Sequence, residues 1–342
     1  MERTVTRPPR EVDRHRRLLH FYLPAGDYPP MRALVTGGAG FIGSHLCHRL
    51  LELGHEVVVL DNFFSGSRAN LSAIADHVRV VEGDVRDLPT VEASAAGCEV
   101  VFHEAAIVSV PFSVERPQES HDVNIQGTLN VLQAARRAGT KRLVFASSAA
   151  IYGEEPTLPK SEAMRPEPMS PYGVEKITGE HYLATWSRLF GLETVALRYF
   201  NVFGPRQDPK SAYSGVISIF VDRILGGRPI TFFGDGSQCR DFVYVANVVD
   251  ANILASTREG VSGRAFNVAC GKRTTLLELA TLIERAAGVA VARSFADARA
   301  GDIKDSVANI TRATRDLGYA PAVGVEEGLK RLVDHIRTEC AP

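Results

Sequence analysis

Residues 36–43 read Thr36-Gly37-Gly38-Ala39-Gly40-Phe41-Ile42-Gly43, and the chain changes character across them. Before the glycines comes a short β-rich run, Ala33–Thr36; after them comes an amphipathic helical pattern, Phe41–Leu53. Glycines at such a junction allow a tight turn and let backbone N–H groups approach a pyrophosphate, while the last lets helix and strand pack closely. A glycine run alone carries little, but one that joins a strand to a helix points to dinucleotide binding. Gly37, Gly40, Phe41, Ile42 and Gly43 are therefore the candidate pyrophosphate contacts.

Working outward, β-rich runs alternate with helical patterns, the signature of a parallel sheet covered on both faces. Candidate strands are Ala33–Thr36, Glu56–Leu60, Val78–Glu82, Val100–His103, Arg142–Ala146 and Thr194–Arg198, with helical stretches at Phe41–Leu53, Ser120–Ala138 and Tyr172–Phe190. The expected fold class is α/β, a doubly wound parallel sheet over 31–200 followed by a smaller α/β substrate-binding region over 201–342, with some chain exchange between the two. After Asn201 the alternation becomes less regular. Ligands in such sheets sit at the carboxyl ends of the strands.

Asp61 ends the second candidate strand, where a carboxylate can accept hydrogen bonds from an adenosine ribose and would repel a 2′-phosphate. NAD rather than NADP is the expected cofactor, although Arg68 lies near enough to soften the preference. Asn62 follows Asp61. In Gly83-Asp84-Val85, Asp84 follows the third strand and is placed to meet an adenine, with a plain turn aspartate as the alternative.

With 342 residues, 45% hydrophobic and 23% charged, the chain can bury one large or two modest cores. A net charge of -1 gives no reason to expect nucleic acid or an anionic membrane as partner. Cys47, Cys98, Cys239, Cys270 and Cys340 form no Cys-x-x-Cys pair, so neither a disulfide framework nor a zinc site is indicated and a cytoplasmic setting fits. His45 and His48 share one helix, but a core or solvated role is the simpler reading of them. Residues 1–30 are arginine-rich and proline-punctuated, unlike the rest, so the domain is expected to begin at Met31.

Ser170-Pro171-Tyr172-Gly173-Val174-Glu175-Lys176 is the candidate for the chemistry, although a tyrosine and a lysine at this spacing, taken alone, usually mean a solvated surface pair. Ser170 suits an N-cap and Pro171 a first helical position, so Tyr172 lies in the first turn with Lys176 one turn on, on the same face. A tyrosine serves as a general base near neutral pH only if its pKa, ordinarily about 10, falls by about three units. A lysine ammonium, a helix N-terminus and a nicotinium charge would all push that way, so a depressed phenol is expected. Ser148, in Ser147-Ser148, could pass the proton or hold the substrate oxygen.

From Met31 to about residue 335 the chain resembles an extended short-chain dehydrogenase/reductase with a Rossmann domain, and among these it is most similar to the UDP-hexose 4-epimerases. The carriers are residues 36–43, Asp61-Asn62, Ser147-Ser148, Tyr172-x-x-x-Lys176, the run Arg198-Tyr199-Phe200-Asn201-Val202-Phe203-Gly204-Pro205 and Gly234-Asp235-Gly236-x-x-x-Arg240-Asp241-Phe242. The resemblance implies that His103-Glu104-Ala105-Ala106 passes under the cofactor, with Ala105, Ala106, Asn62 and Val85 among its contacts. It also implies a homodimer through a four-helix bundle. Asn201 and Gln207 are placed along the sugar and phosphates, and 212–217, Val216 included, near the uracil. Arg240 and Arg299 suit the diphosphate, since a planar fork matches phosphate oxygens. Asp302 would take the uridine ribose, and Ser306 would line the sugar pocket where a small residue leaves room for an N-acetyl group.

The implied reaction is inversion at carbon 4 of a UDP-sugar: Tyr172 takes the 4-hydroxyl proton, Ser148 holds the same oxygen, Lys176 holds the nicotinamide ribose, and hydride leaves for NAD and returns to the other face. A 4,6-dehydratase would carry an acid–base carboxylate pair just after Ser148, where Ala149 and Ala150 stand. A UDP-glucuronate 4-epimerase remains an alternative, with Lys210 or Arg206 as the cation for the carboxylate, although Asp208 lies where related glucuronate enzymes can carry arginine. A non-catalytic nucleotide sensor could dispense with Tyr172 and Lys176.

Overall fold

The computed structural model describes residues 30–207, 215–297 and 304–339. The chain opens with β1 (Arg32–Thr36), α1 (Phe41–Glu52), β2 (Glu56–Asp61) and β3 (Val78–Glu82), then α2 (Leu88–Ala95), β4 (Val100–His103), α3 (Val110–Glu115) and α4 (Pro117–His121). A π-helical turn, Asp122–Gln126, joins α4 to α5 (Gly127–Ala138), followed by β5 (Arg142–Ser148), α6 (Pro171–Phe190) and β6 (Glu193–Tyr199). Next come β7 (Asn201–Phe203), α7 (Val216–Leu225), β8 (Ile230–Phe233), β9 (Cys239–Arg240), β10 (Phe242–Tyr244), α8 (Val245–Thr257) and β11 (Arg264–Val268). The chain ends with β12 (Thr274–Thr275), α9 (Leu276–Ala287), β13 (Arg293–Ala296), β14 (Asp305–Ser306) and α10 (Val325–Glu339).

Seven parallel strands form the main sheet in the order β11-β6-β5-β4-β1-β2-β3. Because both faces are covered, its strands are near-continuous apolar runs, and alternate residues serve opposite cores. Ala33 and Val35 of β1 face the layer holding Leu46 and Leu50 of α1 and Val248 and Val249 of α8. Leu34 between them faces Val91 of α2, Val131 and Leu132 of α5, and Leu183 of α6. The chain runs outward through β2 and β3, then crosses back to β4, so the order reverses between β1 and β4. A crevice opens at the carboxyl ends of these two strands.

The remaining strands and α7, α9 and α10 enclose a second core built on Phe203, Phe220, Ile224, Phe232, Tyr244, Leu279, Ile283, Leu329 and Val333. A division at 200/201 does not separate the two cores, because α8 and β11 return to the main sheet, with Arg264–Val268 paired to Val195–Tyr199. The helix expected over Ser120–Ala138 begins earlier, at Pro117, and is interrupted by the π-helical turn. No helix among the described residues is long and apolar enough to cross a membrane.

Candidate active site

The glycine turn meets β4 at close range. Gly37 has φ +69, and a Cβ there would stand 2.7 Å from the Ala105 backbone nitrogen. Gly43 has no room either, since a Cβ would lie 2.2 Å from the Gly37 carbonyl oxygen. These contacts explain why the sequence spends glycine here: the backbone, not a side chain, forms the wall of the crevice. Gly40 is the N-cap of α1 and supplies no side-chain cap, and the first turn carries no acidic residue. The positive end of α1, with the Phe41 and Ile42 amides in its first turn, is thus left to an anion, which fits a dinucleotide pyrophosphate.

Asp61, at the end of β2, is buried and is fixed by two backbone donors, Ala39 N–H to Oδ2 at 2.9 Å and Phe63 N–H to Oδ1 at 2.8 Å. Burial raises its pKa, and those two amides pull it back down. Arg68 stacks on the Phe63 ring, 4.3 Å from its centroid, and pairs with Glu82. Asn62 donates to Asp84 at 2.8 Å, while the Arg86 fork donates to both Asp84 oxygens at 2.9 and 2.8 Å. The Arg86 hydrogen bonds hold that carboxyl down at about 2. Arg86 N–H also donates to Asp84 Oδ1 at 2.9 Å, the contact of a turn aspartate, while Asn62 links Asp84 to the end of β2. Val85 is buried, and its carbonyl accepts from Asn130 at 3.0 Å. Ala105 N–H donates to Thr36 Oγ1 at 3.3 Å, and Ala106 follows on the same half-buried segment.

Across the crevice, β5 ends at Ser148 and α6 begins at Pro171, as the capping signal predicts: the Ser170 hydroxyl accepts from Gly173 N–H at 3.2 Å. Tyr172 and Lys176 lie on the buried face of α6, and the Ser148 hydroxyl hydrogen-bonds the Tyr172 phenol. Lys176 Nζ donates to the Ala146 carbonyl at 2.8 Å and stands 5.7 Å from the Tyr172 ring centroid. The expected depression of the phenol is not found. Burial pushes Tyr172 up to about 12, against the lowering effect of its Ser148 hydrogen bond, and Glu175 and Glu104 add to the rise. Burial likewise lowers Lys176 to about 8, with Glu104 and Glu175 working in the opposite direction. Desolvation outweighs the one-turn spacing that suggested an acidic phenol.

Behind these residues is a polar layer that sequence reasoning did not single out. Glu180 continues the face of Tyr172 and Lys176 by one more turn, and accepts from Arg198 Nε at 2.9 Å, Arg198 Nη2 at 2.7 Å and Ser147 Oγ at 2.5 Å. Glu175 accepts from Ser120 at 2.8 Å and from Asn124 at 2.6 Å. Asn124 sits in the π-helical turn and also grips Ile107, donating to its carbonyl and accepting from its N–H, both at 2.9 Å. The irregular turn thus presents an amide to the segment that lines the crevice. The four-residue spacing Tyr172, Lys176, Glu180 is visible in the sequence; nothing local marks Asn124.

Toward the second core, Asn201 N–H and Nδ2 both reach the Asp241 carbonyl, at 3.1 and 3.3 Å. Gln207 donates to the Val202 carbonyl at 3.3 Å and accepts from Ser218 at 3.0 Å, beside Val216 at the start of α7. Arg240 lies opposite Ser306 in the β9–β14 pairing and donates to the Cys239 and Lys304 carbonyls at 2.9 and 3.0 Å. Asp241, fully buried, accepts from the backbone N–H groups of Cys270, Gly271 and Ala308 at 2.9, 2.9 and 3.2 Å. Burial raises it to about 6 against those amides. Arg299, Asp302, Asp208 and Lys210 fall outside the described residues, as does the segment before Pro30. Arg206, a candidate cation for a substrate carboxylate, extends to α1 instead, toward Ser44 Oγ at 3.2 Å and His48 Nε2 at 3.1 Å. His45 is buried against the Pro205 carbonyl at 2.9 Å.

A glycine turn at the switch point, an uncapped helix facing it, and a serine–tyrosine–lysine group on the opposite wall define a dinucleotide-dependent enzyme of the short-chain dehydrogenase/reductase type. The chain belongs to the NAD dependent epimerase/dehydratase family, whose match covers residues 33–269. It is 41% identical over 318 residues to a UDP-glucose 4-epimerase of Mycolicibacterium smegmatis, covering 90% of this chain and 99% of the relative. A structure of Thermotoga maritima UDP-glucose 4-epimerase with UDP-glucose superposes with a TM-score of 0.86 at 40% identity, over 91% of this chain and all of the other. A UDP-N-acetylglucosamine 4-epimerase from Methanobrevibacter ruminantium, in complex with UDP-N-acetylmuramic acid, does so with a TM-score of 0.87 at 36% identity, over 91% and 100%. NAD is the cofactor.

Proposed function

We propose that this enzyme inverts carbon 4 of a UDP-sugar, taking UDP-glucose and UDP-galactose and also the N-acetylated pair. The observation that carries the reading is the Ser148–Tyr172–Lys176 group at the end of β5 and the start of α6, with Asn201 tied to the Asp241 carbonyl next to Arg240 of β9. The glycine turn and the α1 N-terminus hold the NAD pyrophosphate, and Asp61 the adenosine ribose. NAD held there would supply reversible hydride chemistry at carbon 4. Tyr172 takes the 4-hydroxyl proton and later returns it, and Ser148 holds the same oxygen in place. Lys176, whose ammonium lies on the same buried face of α6, would hold the nicotinamide ribose. Arg240 meets the diphosphate, with Asn201, Gln207, Val216 and Ser306 lining the sugar and nucleotide.

The relatives' names support the hexose and N-acetylhexosamine readings. UDP-glucuronate is weaker, because the Arg206 fork is directed at α1. The protein is expected to act as a homodimer through α5 and α6, since Val174, Leu189 and Phe190 of α6 stay exposed. Incubating purified protein with a panel of UDP-sugars, with carbon 4 followed by NMR, tests the function. Inversion of the glucose and N-acetylglucosamine compounds is expected; turnover of UDP-glucuronate alone would replace this reading by the uronate one.

A further inference from the structure

Asn267 lies on β11, beside Arg198 of β6, and is wholly buried. Its amide oxygen accepts from the Tyr152 hydroxyl at 2.7 Å. Its amide nitrogen donates to the Lys160 and Asn309 carbonyls, at 2.9 and 3.2 Å. Carbonyls can only accept, so the nitrogen must face Lys160 and Asn309 and the oxygen must face Tyr152. The Tyr152 proton is then committed to Asn267, and the tyrosine oxygen accepts from Arg198 Nη1 at 2.9 Å. Asn267 N–H completes the knot, donating to Glu162 at 2.9 Å.

The partners belong to two segments that meet the substrate from different sides. Tyr152 closes the single 3-10 turn that follows Ser148, and Lys160 and Glu162 lie on the loop that runs on from it to Tyr172. Asn309 is three residues beyond Ser306, and the two segments are laced together: Lys160 N–H donates to the Val307 carbonyl at 2.7 Å, and the Lys160 carbonyl accepts from Asn309 N–H at 2.8 Å. Resting on the functional reading above, we propose that Asn267 is a positioning residue for sugar specificity. It holds the loop that links Ser148 to Tyr172 in register with the segment that continues from Ser306. The spacing between the reacting pair and the pocket wall, and hence the room for the substituent at carbon 2, is set by this one amide. Aspartate has the same shape but no donor: its second oxygen would stand against two carbonyl oxygens, with the Glu162 carboxylate already on its own N–H.

The test compares kcat/KM for UDP-glucose and UDP-N-acetylglucosamine in the wild type, Asn267→Asp, Tyr152→Phe and Ser306→Tyr, with UDP affinity measured by calorimetry. In Asn267→Asp the acetylated substrate should lose about tenfold more than the plain one, because only the acetamide reaches the wall, while UDP binds as before. Tyr152→Phe removes the donor to the amide oxygen but leaves both amide protons in place, so the ratio should move the same way by less. A merely structural role lowers the folded fraction and reduces both substrates alike; equal losses therefore overturn the proposal. If Asn267→Asp does not fold, the ratio in Tyr152→Phe decides. A ratio moved by Ser306→Tyr but not by the other variants overturns the proposal alone. A ratio that no variant moves removes Ser306 from the wall and the proposal with it, and a wild type that turns over neither sugar overturns the functional reading and this role together.

Discussion

Glu180→Gln separates a buried ion pair without changing its shape. The Glu180 and Arg198 side chains are 8% and 6% exposed, and the guanidinium donates to both carboxylate oxygens. Burial opposes the charge on Arg198, yet Glu180 more than compensates and its pKa rises. With so little exposure there is no solvent screening to discount. Removing one partner of such a pair leaves an uncompensated charge, which costs about 3–5 kcal/mol. Gln can still accept at one oxygen, and Tyr152 still accepts from Arg198 Nη1 at 2.9 Å, so the lower end, about 3 kcal/mol, is expected. Urea unfolding of Glu180→Gln, Arg198→Met and the Glu180→Gln/Arg198→Met double variant reads this directly. The double variant should be much less destabilised than the two single losses added together. Activity should fall with Glu180→Gln as well, because the neutral amide oxygen holds Ser147 less strongly than the carboxylate does and Ser148 is its neighbour. A loss below about 1 kcal/mol in the single variant would mean that water reaches the pair, as at exposed sites.

Tyr172→Phe should abolish turnover while the protein still binds NAD and UDP, measured by calorimetry; near-normal turnover would assign the proton transfer to another base. Lys176, lowered to about 8, is charged below that pH and neutral above it, so kcat/KM should fall on an alkaline limb centred near 8; a rate rising steadily past pH 9 would contradict the role given to the ammonium. Ser306→Tyr should suppress kcat/KM for the N-acetylated sugars by about tenfold or more relative to the plain hexoses, since the new ring competes with the acetamide for space. An unchanged ratio would remove Ser306 from the pocket wall.

Strand β3 and strand β4 are legible in the sequence to the residue, and β1, β2, β5 and β6 to within two residues, because a parallel sheet covered on both faces writes itself as short apolar runs between helices. The α6 start is equally legible, since Ser170 and Pro171 are local signals that the fold uses as written. Some chain exchange between the two regions is expected, but that α8 and β11 are the segments that return is not legible, because it depends on which core receives Val248, Val249 and Phe266, a matter of tertiary packing. In the site, the glycine turn and the serine–tyrosine–lysine group are legible from the motifs taken together, since the Tyr172–Lys176 spacing alone is that of many surface pairs. The phenol's pKa is not: spacing shows that Lys176 shares a face with Tyr172 but not that both are buried, and burial decides the sign. Asn124 and Asn267 act through contacts distant in sequence, with no local pattern to announce them.

The chemistry at carbon 4 is tested most directly by UDP-glucose carrying deuterium there, incubated with the purified protein without added nucleotide. If Tyr172 moves only the hydroxyl proton while the hydrogen on carbon leaves and returns within one closed site, the UDP-galactose formed keeps its deuterium at carbon 4, and no reductant is consumed. Deuterium washed out to solvent, or turnover that requires stoichiometric NADPH, would contradict it.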